Sequence, residues 1–249
     1  MKVCLISRGR TRSTVVVNSL AEQFNIVNLE EIYFKAQHEI KQNVDHRKAI
    51  DWNLYIPIFN SKVSAITRQL LEKQSFVCKI FPSMLISPPM HIIKNSETLD
   101  DIKQRIIFNL EEYLVLSQYD KVYFLERNLP ESAISWVYSN KTGVYHKYKN
   151  KPNNYKPIKL NEVDYARARF YVLEFLLQQK IKEFLQQKSI PFTVISENNF
   201  EDILNGHSNT IEKTPVNYKE LIANADDLIA FVEKIHNEYS VIVQDWQYI

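Results

Sequence analysis

The chain has 249 residues, with 31 Lys and Arg against 29 Asp and Glu. A balance this close to neutral excludes a polycation that holds nucleic acid by bulk charge alone. Hydrophobic residues make up 45% and aromatics 12%, which excludes global disorder, and two cysteines exclude both a disulfide framework and a cysteine-built zinc site.

The length fits one α/β domain spanning 1–249. Val3–Ile6 is a short, wholly apolar run of the kind that forms a buried strand, and it is too short to be a signal peptide. Ser13–Phe24 carries Val16, Val17, Leu20 and Phe24 at the spacing of a helix face. A short strand is expected at Ile26–Leu29, a helix over Lys62–Lys73, and a core strand over Phe76–Phe81 that Pro82 ends. A helix is expected over Ile102–Leu116 and a third core strand over Val122–Leu125. Pro130 suits the first turn of a helix running to about Thr142 and closing at Gly143. Glu162–Lys188 reads as a long amphipathic helix with Phe170, Leu173, Leu177, Ile181 and Leu185 on one core-facing stripe. A strand at Phe192–Ile195 and helices at Phe200–Leu204, Tyr218–Ile222 and Ala225–Glu238 complete the chain.

Strands alternating with helices predict a three-layer α/β/α fold around a mostly parallel sheet of four to five strands. Ligands of such sheets bind at the carboxyl ends of the strands. After the first strand comes Ser7-Arg8-Gly9-Arg10-Thr11-Arg12-Ser13-Thr14, three guanidinium groups and several hydroxyls at a helix start. Free backbone N–H groups and the helix dipole favour an anion there, and arginine donates paired hydrogen bonds to phosphate. The same residues also read as a solvated turn with Ser13 as an N-cap. The spacing is not that of a nucleoside-triphosphatase loop. After the third strand stands Arg127, with Ser135 eight residues on in the second turn of the next helix, and one anion could bridge the two.

Together the two loops resemble those of sulfotransferases that use 3′-phosphoadenosine 5′-phosphosulfate (PAPS), closest to the bacterial trehalose 2-sulfotransferase type. Gly9-Arg10-Thr11-Arg12-Ser13-Thr14 stands where that family binds the 5′-phosphosulfate, with Arg12 in place of the family's loop glycine. Arg127 and Ser135 match the pair that binds the 3′-phosphate, and Ser139-Asn140-Lys141-Thr142-Gly143 resembles the family's continuation. The resemblance implies a P-loop-like sulfotransferase fold, PAPS as co-substrate, 3′-phosphoadenosine 5′-phosphate (PAP) as product, and no metal. It covers segments near residues 2–36, 76–86 and 120–146. The K-T-H-L-P segment of cytosolic members corresponds to Lys79-Ile80-Phe81-Pro82, where Phe81 accepts no proton. In the trehalose 2-sulfotransferase type a glutamate soon after the first helix is the base, and a gap-free count from Arg10 implies Glu31 for that role, with Glu30 one residue away; the same two acids also read as the start of an amphipathic helix. Arg10 and Lys79 would face the transferred sulfuryl group. Arg8, Gly9, Thr11, Arg12, Ser13 and Thr14 would line the donor.

The implied acceptor is a carbohydrate or other small molecule, and a homodimer is left open. The six histidines show no metal-ligand spacing. Lys141–Lys159 holds six lysines, no acid and three interleaved tyrosines; it reads as a cationic rim, a single-strand nucleic-acid groove, or a solvated loop. Asp45-His46-Arg47 and Asp51-Trp52 could line an acceptor site or lie at the surface. Two other functions compete: a small-molecule kinase on a related fold, and a non-catalytic nucleotide- or RNA-binding module. No apolar run nears the ~18 residues of a membrane span, and a cytoplasmic setting is expected.

Overall fold

The computed structural model describes residues 1–9, 11, 13–32, 52–73, 75–87, 107–108, 118–144, 155–196, 198–199, 202 and 217–244. Five parallel strands form the central sheet: β1 (Lys2–Ile6), β2 (Val27–Glu31), β3 (Phe76–Ile80), β6 (Lys121–Leu125) and β7 (Thr193–Ile195). Their order is β2-β3-β1-β6-β7, so β1 is central and flanked by β3 and β6. A separate antiparallel pair joins β4 (Ile86–Ser87) to β5 (Ile107–Phe108).

Alternation along the strands divides the core between two faces. Val3, Leu5, Val77, Leu125 and Ile195 pack with Val16, Val17 and Leu20 of α1 (Ser13–Phe24) on one face. Cys4, Ile6, Cys78, Ile80, Val122 and Phe124 join the other. There the cluster takes in Val63 and Leu70 of α2 (Trp52–Leu71), Ala133 and Val137 of α3 (Leu129–Thr142), and Leu173, Leu177 and Ile181 of α4 (Glu162–Gln187). A four-residue turn, α5 (Tyr218–Leu221), leads to α6 (Ala225–Gln244), whose Leu228, Val232, Ile235 and Tyr239 pack into that cluster. The expected α/β class with helices on both faces of a mostly parallel sheet is what the chain forms.

The helix termini follow the sequence closely. Asn128 caps α3 by accepting from the Glu131 N–H, Pro130 lies in its first turn, and Gly143 closes it with φ at 73°. Asn161 and Asp164 cap α4 reciprocally.

Two expectations are corrected. The helix expected over Lys62–Lys73 begins ten residues earlier, at Trp52, and carries Pro57 in its second turn. The helix expected over Ile102–Leu116 does not hold at Ile107–Phe108, which pair with Ile86–Ser87 as strand. β-Branched and aromatic residues accept that pairing as readily as a helix face, and a tertiary partner decides between them. The rest of 102–116 lies outside the described residues. So do Asp45-His46-Arg47, Asp51, most of the lysine-rich segment, and Phe200–Leu204 apart from Asp202. Among the described residues, no helix is long and apolar enough to cross a membrane.

Candidate active site

The carboxyl ends of β1, β3 and β6 bring together the loop Ser7–Thr14, the turn Phe81–Leu85 and the segment Glu126–Asn128. Nearest the centre stands Lys79, on the same sheet face as Val77 and α1. Its side chain is 5% exposed, and its ammonium lies 2.9 Å from Glu31 Oε1 and 3.4 Å from Thr14 Oγ1. It also rests 5.1 Å from the centroid of the Phe81 ring. The Glu31 side chain is 29% exposed, so it is only partly shielded from solvent.

A break in register produces this meeting. Asn28 pairs with Val77 and Glu31 with Lys79, so β2 takes three steps where β3 takes two. The extra residue is accommodated by Glu30, whose φ of 55° is left-handed and whose N–H donates to Asn28 Oδ1. Of the two adjacent acids, the bulge turns Glu31 toward Lys79 and leaves Glu30 exposed. Both acids lie in the last two positions of β2, and the residues after Ile32, on which the helix reading depends, lie outside the described residues.

α1 starts at Ser13 and has no acidic residue in its first turn. Its positive end faces the Lys79 side of the sheet with nothing anionic of its own to neutralise it. The loop before it is pinned from the opposite face. Thr11 Oγ1 donates to the Arg8 carbonyl at 2.7 Å, and Tyr171 Oη donates to the Gly9 carbonyl at 2.8 Å. A Cβ at Gly9 would lie 3.1 Å from Trp136 Cδ1 and Nε1. Trp136 is itself held by Phe170 and Tyr171, at 5.8 and 5.4 Å between centroids. A side chain here would require Trp136 to shift by a few tenths of an ångström.

Arg8 turns inward and is fully buried. Its Nε donates to Gln178 Oε1 at 2.8 Å, one Nη to the Arg127 carbonyl at 2.9 Å, and the other reaches Ser132 Oγ at 3.5 Å. Its plane also lies over Phe175 and Tyr171, at 4.6 and 5.2 Å. The loops after β1 and β6 are thereby in direct contact. Arg127 is 23% exposed at the same edge, with an Nη 4.0 Å from Glu131 Oε2. Ser135 is buried within α3, where its carbonyl accepts from Ser139 Oγ. Ser13 is buried at the start of α1. Arg10 and Arg12 lie outside the described residues.

The comparisons with known proteins add little to this geometry. No family model matches the chain, and no curated protein matches it. Among solved structures, a shikimate kinase from Acinetobacter baumannii in complex with shikimate is similar to it, at 15% identity and a TM-score of 0.35, over 83% of this chain and 94% of that one. A likeness of that size says nothing of chemistry, and the α/β class rests on the sheet itself.

Sequence reasoning missed the contribution of α4. Tyr171, Glu174, Phe175 and Gln178 follow one another at i, i+3, i+4 and i+7, a single stripe beside the apolar one. Gln178 Nε2 donates to the Leu125 carbonyl at 3.1 Å and reaches the Ile6 carbonyl at 3.4 Å, tying the ends of β6 and β1. Glu174 accepts from Ser83 Oγ, in the turn after β3. Its carboxyl is pushed up by burial, while Ser83 and the Arg8 charge oppose the rise and Glu31 adds to it. Burial likewise raises the Tyr171 phenol against the pull of Arg8, which keeps it a donor. The signal available was a glutamate and a glutamine interrupting a core helix between Leu173 and Ile181; a buried polar group needs a partner, and these find theirs at the strand ends. Among the described residues there is no cluster of His, Cys, Asp and Glu able to hold a metal ion.

Proposed function

We propose that this chain transfers a sulfuryl group from PAPS to a hydroxyl of a carbohydrate or other small-molecule acceptor. The observation that carries this reading is the meeting of Glu31, Lys79 and Thr14. They come from two separate segments of the resemblance: Glu31 as base and Thr14 at the start of the donor-binding helix from the first, and Lys79 as a cation for the sulfuryl group from the second.

In this reading the acceptor oxygen attacks sulfur in line with the phosphosulfate bridge. The bridging S–O bond breaks, and PAP leaves with its electron pair. Glu31, whose side chain is partly exposed, takes the proton of the acceptor hydroxyl. Lys79 and the N-terminal peptide groups of α1 balance the charge that spreads over the sulfuryl oxygens and the leaving phosphate. Arg10 and Arg12 belong to the phosphosulfate end of the donor, with Gly9, Thr11, Ser13 and Thr14. Arg127 and Ser135 belong to the 3′-phosphate end. The contact of Arg8 with the Arg127 carbonyl supports one ligand spanning both loops, because it leaves them adjoining. Ser7 Oγ also fits a polar ligand here: it is buried beside the loop with no hydrogen-bond partner among the described residues.

The test is mass spectrometry of an acceptor library incubated with PAPS. A sulfated product together with PAP is expected from the native chain, and a loss of about 10²-fold or more in Glu31→Gln with PAP binding retained. An inert library together with no PAP binding would overturn the reading.

A further inference from the structure

We propose that Glu174 is a positioning residue of this site, holding the turn after β3 in register with the donor loop after β1 through its hydrogen bond to Ser83. The inference rests on the donor-binding reading above and extends it to a residue behind the site.

The argument begins with what a buried carboxylate requires. Glu174 is 4% exposed, in the middle of a 26-residue helix whose neighbouring residues are apolar. A carboxyl in that setting is costly unless its oxygens are hydrogen-bonded. A leucine would pack there without that cost, so the acid marks a specific contact rather than generic core. That contact is Ser83, bonded through its hydroxyl and its backbone N–H. Ser83 lies four residues after Lys79 on the same strand exit, beyond Phe81 and Pro82. Fixing Ser83 therefore fixes the segment whose Phe81 ring lies under the Lys79 ammonium.

The same helix face holds the other two exits. One turn before Glu174, Tyr171 binds the Gly9 carbonyl; one turn after it, Gln178 binds Arg8 and the carbonyl of Leu125. A helix rises about 1.5 Å per residue and is stiff over two turns, so the stripe acts as a ruler across the ends of β1, β3 and β6. Glu174 is the member that governs β3, the strand that carries Lys79. Without it, Ser83 loses its hydrogen bond to the stripe, and the turn that carries Phe81 beside the Lys79 ammonium is held less firmly.

Three variants separate positioning from mere stability: Glu174→Ala, Glu174→Gln and Ser83→Ala. A glutamine oxygen still accepts from Ser83, whereas alanine accepts nothing. PAP is titrated calorimetrically into each at a temperature where circular dichroism shows it folded. Hydrogen exchange is followed in the ligand-free proteins over segments 7–14 and 76–87. The expected result is a loss of about 10-fold or more in PAP affinity for Glu174→Ala, with Glu174→Gln within about 3-fold of the native chain. Exchange should rise over 76–87 in the alanine variant and stay near native in the glutamine one. Should Glu174→Ala not fold, Ser83→Ala removes the hydroxyl bond and keeps the backbone N–H one, and should show a smaller loss in the same direction, about 3-fold or more. Native PAP affinity in a folded Glu174→Ala or Ser83→Ala overturns the inference. If the native chain itself binds no PAP, the donor reading fails, and the exchange measurement still decides: unchanged exchange over 76–87 overturns the positioning role.

Discussion

At the scale of single residues, the site depends on a salt bridge that a backbone irregularity creates. Lys79 and Glu31 stand in register on adjacent strands because Glu30 absorbs one extra residue at positive φ. Replacing Lys79 by methionine keeps the volume and removes the charge. It should weaken PAP binding by about 10-fold or more and leave Glu31 without its neighbour, as read by calorimetry. Arg8 acts differently, since its guanidinium is spent on Gln178, Ser132 and the Arg127 carbonyl. Arg8→Lys supplies charge without the planar fork, so it should destabilise the fold by about 3 kcal/mol in urea unfolding. Native stability in that variant would remove Arg8 as the joint between the loops. Glu31 was legible through its distance from the first loop. Its choice over Glu30 was not, because an asparagine-supported bulge leaves no composition signal distinct from any Asn-Leu-Glu-Glu.

At the scale of elements, α4 and the loop it supports carry the predictions. Gly9 packs against Trp136, which is flanked by a stacked Phe170 and a tilted Tyr171. Gly9→Ala should cost about 1–3 kcal/mol and shift the tryptophan emission, checked by fluorescence-monitored unfolding. Burial raises the Glu174 carboxyl above its ordinary value of 4.5. The folded chain then binds that proton more tightly than the unfolded one. This contribution to stability is complete below pH 4.5 and is lost as pH rises through the raised value. Glu174→Gln lacks the titration, so its urea midpoint should gain on the native chain as pH increases from that point; a pH-independent difference would contradict this. Apolar periodicity made the existence of α4 legible, and Asn128, Pro130 and Gly143 marked the ends of α3. The polar stripe of α4 was not legible, since the partners of Glu174 and Gln178 lie about fifty to 170 residues away in the chain. Ile107–Phe108 shows the same limit: a short apolar run takes its conformation from its partner, here Ile86–Ser87.

At the scale of the whole molecule, a central β1 flanked by β3 and β6 delivers three strand exits to one edge. The positive end of α1 closes that edge from one face, and the α4 stripe braces it from the other. That arrangement places a cation, a partly exposed carboxylate and a helix N-terminus within a few ångströms, the minimum that group transfer from an anionic donor to a hydroxyl needs. The alternation of strands and helices made the sheet legible in the sequence; the bracing came from contacts across the whole fold. The most direct test is calorimetric titration of the native chain with PAP, ATP and an oligonucleotide in parallel. Binding of PAP at least about 10-fold tighter than of ATP, lost in Arg127→Ala, is the predicted result. Preference for ATP or for the oligonucleotide, or no heat with PAP, would contradict it.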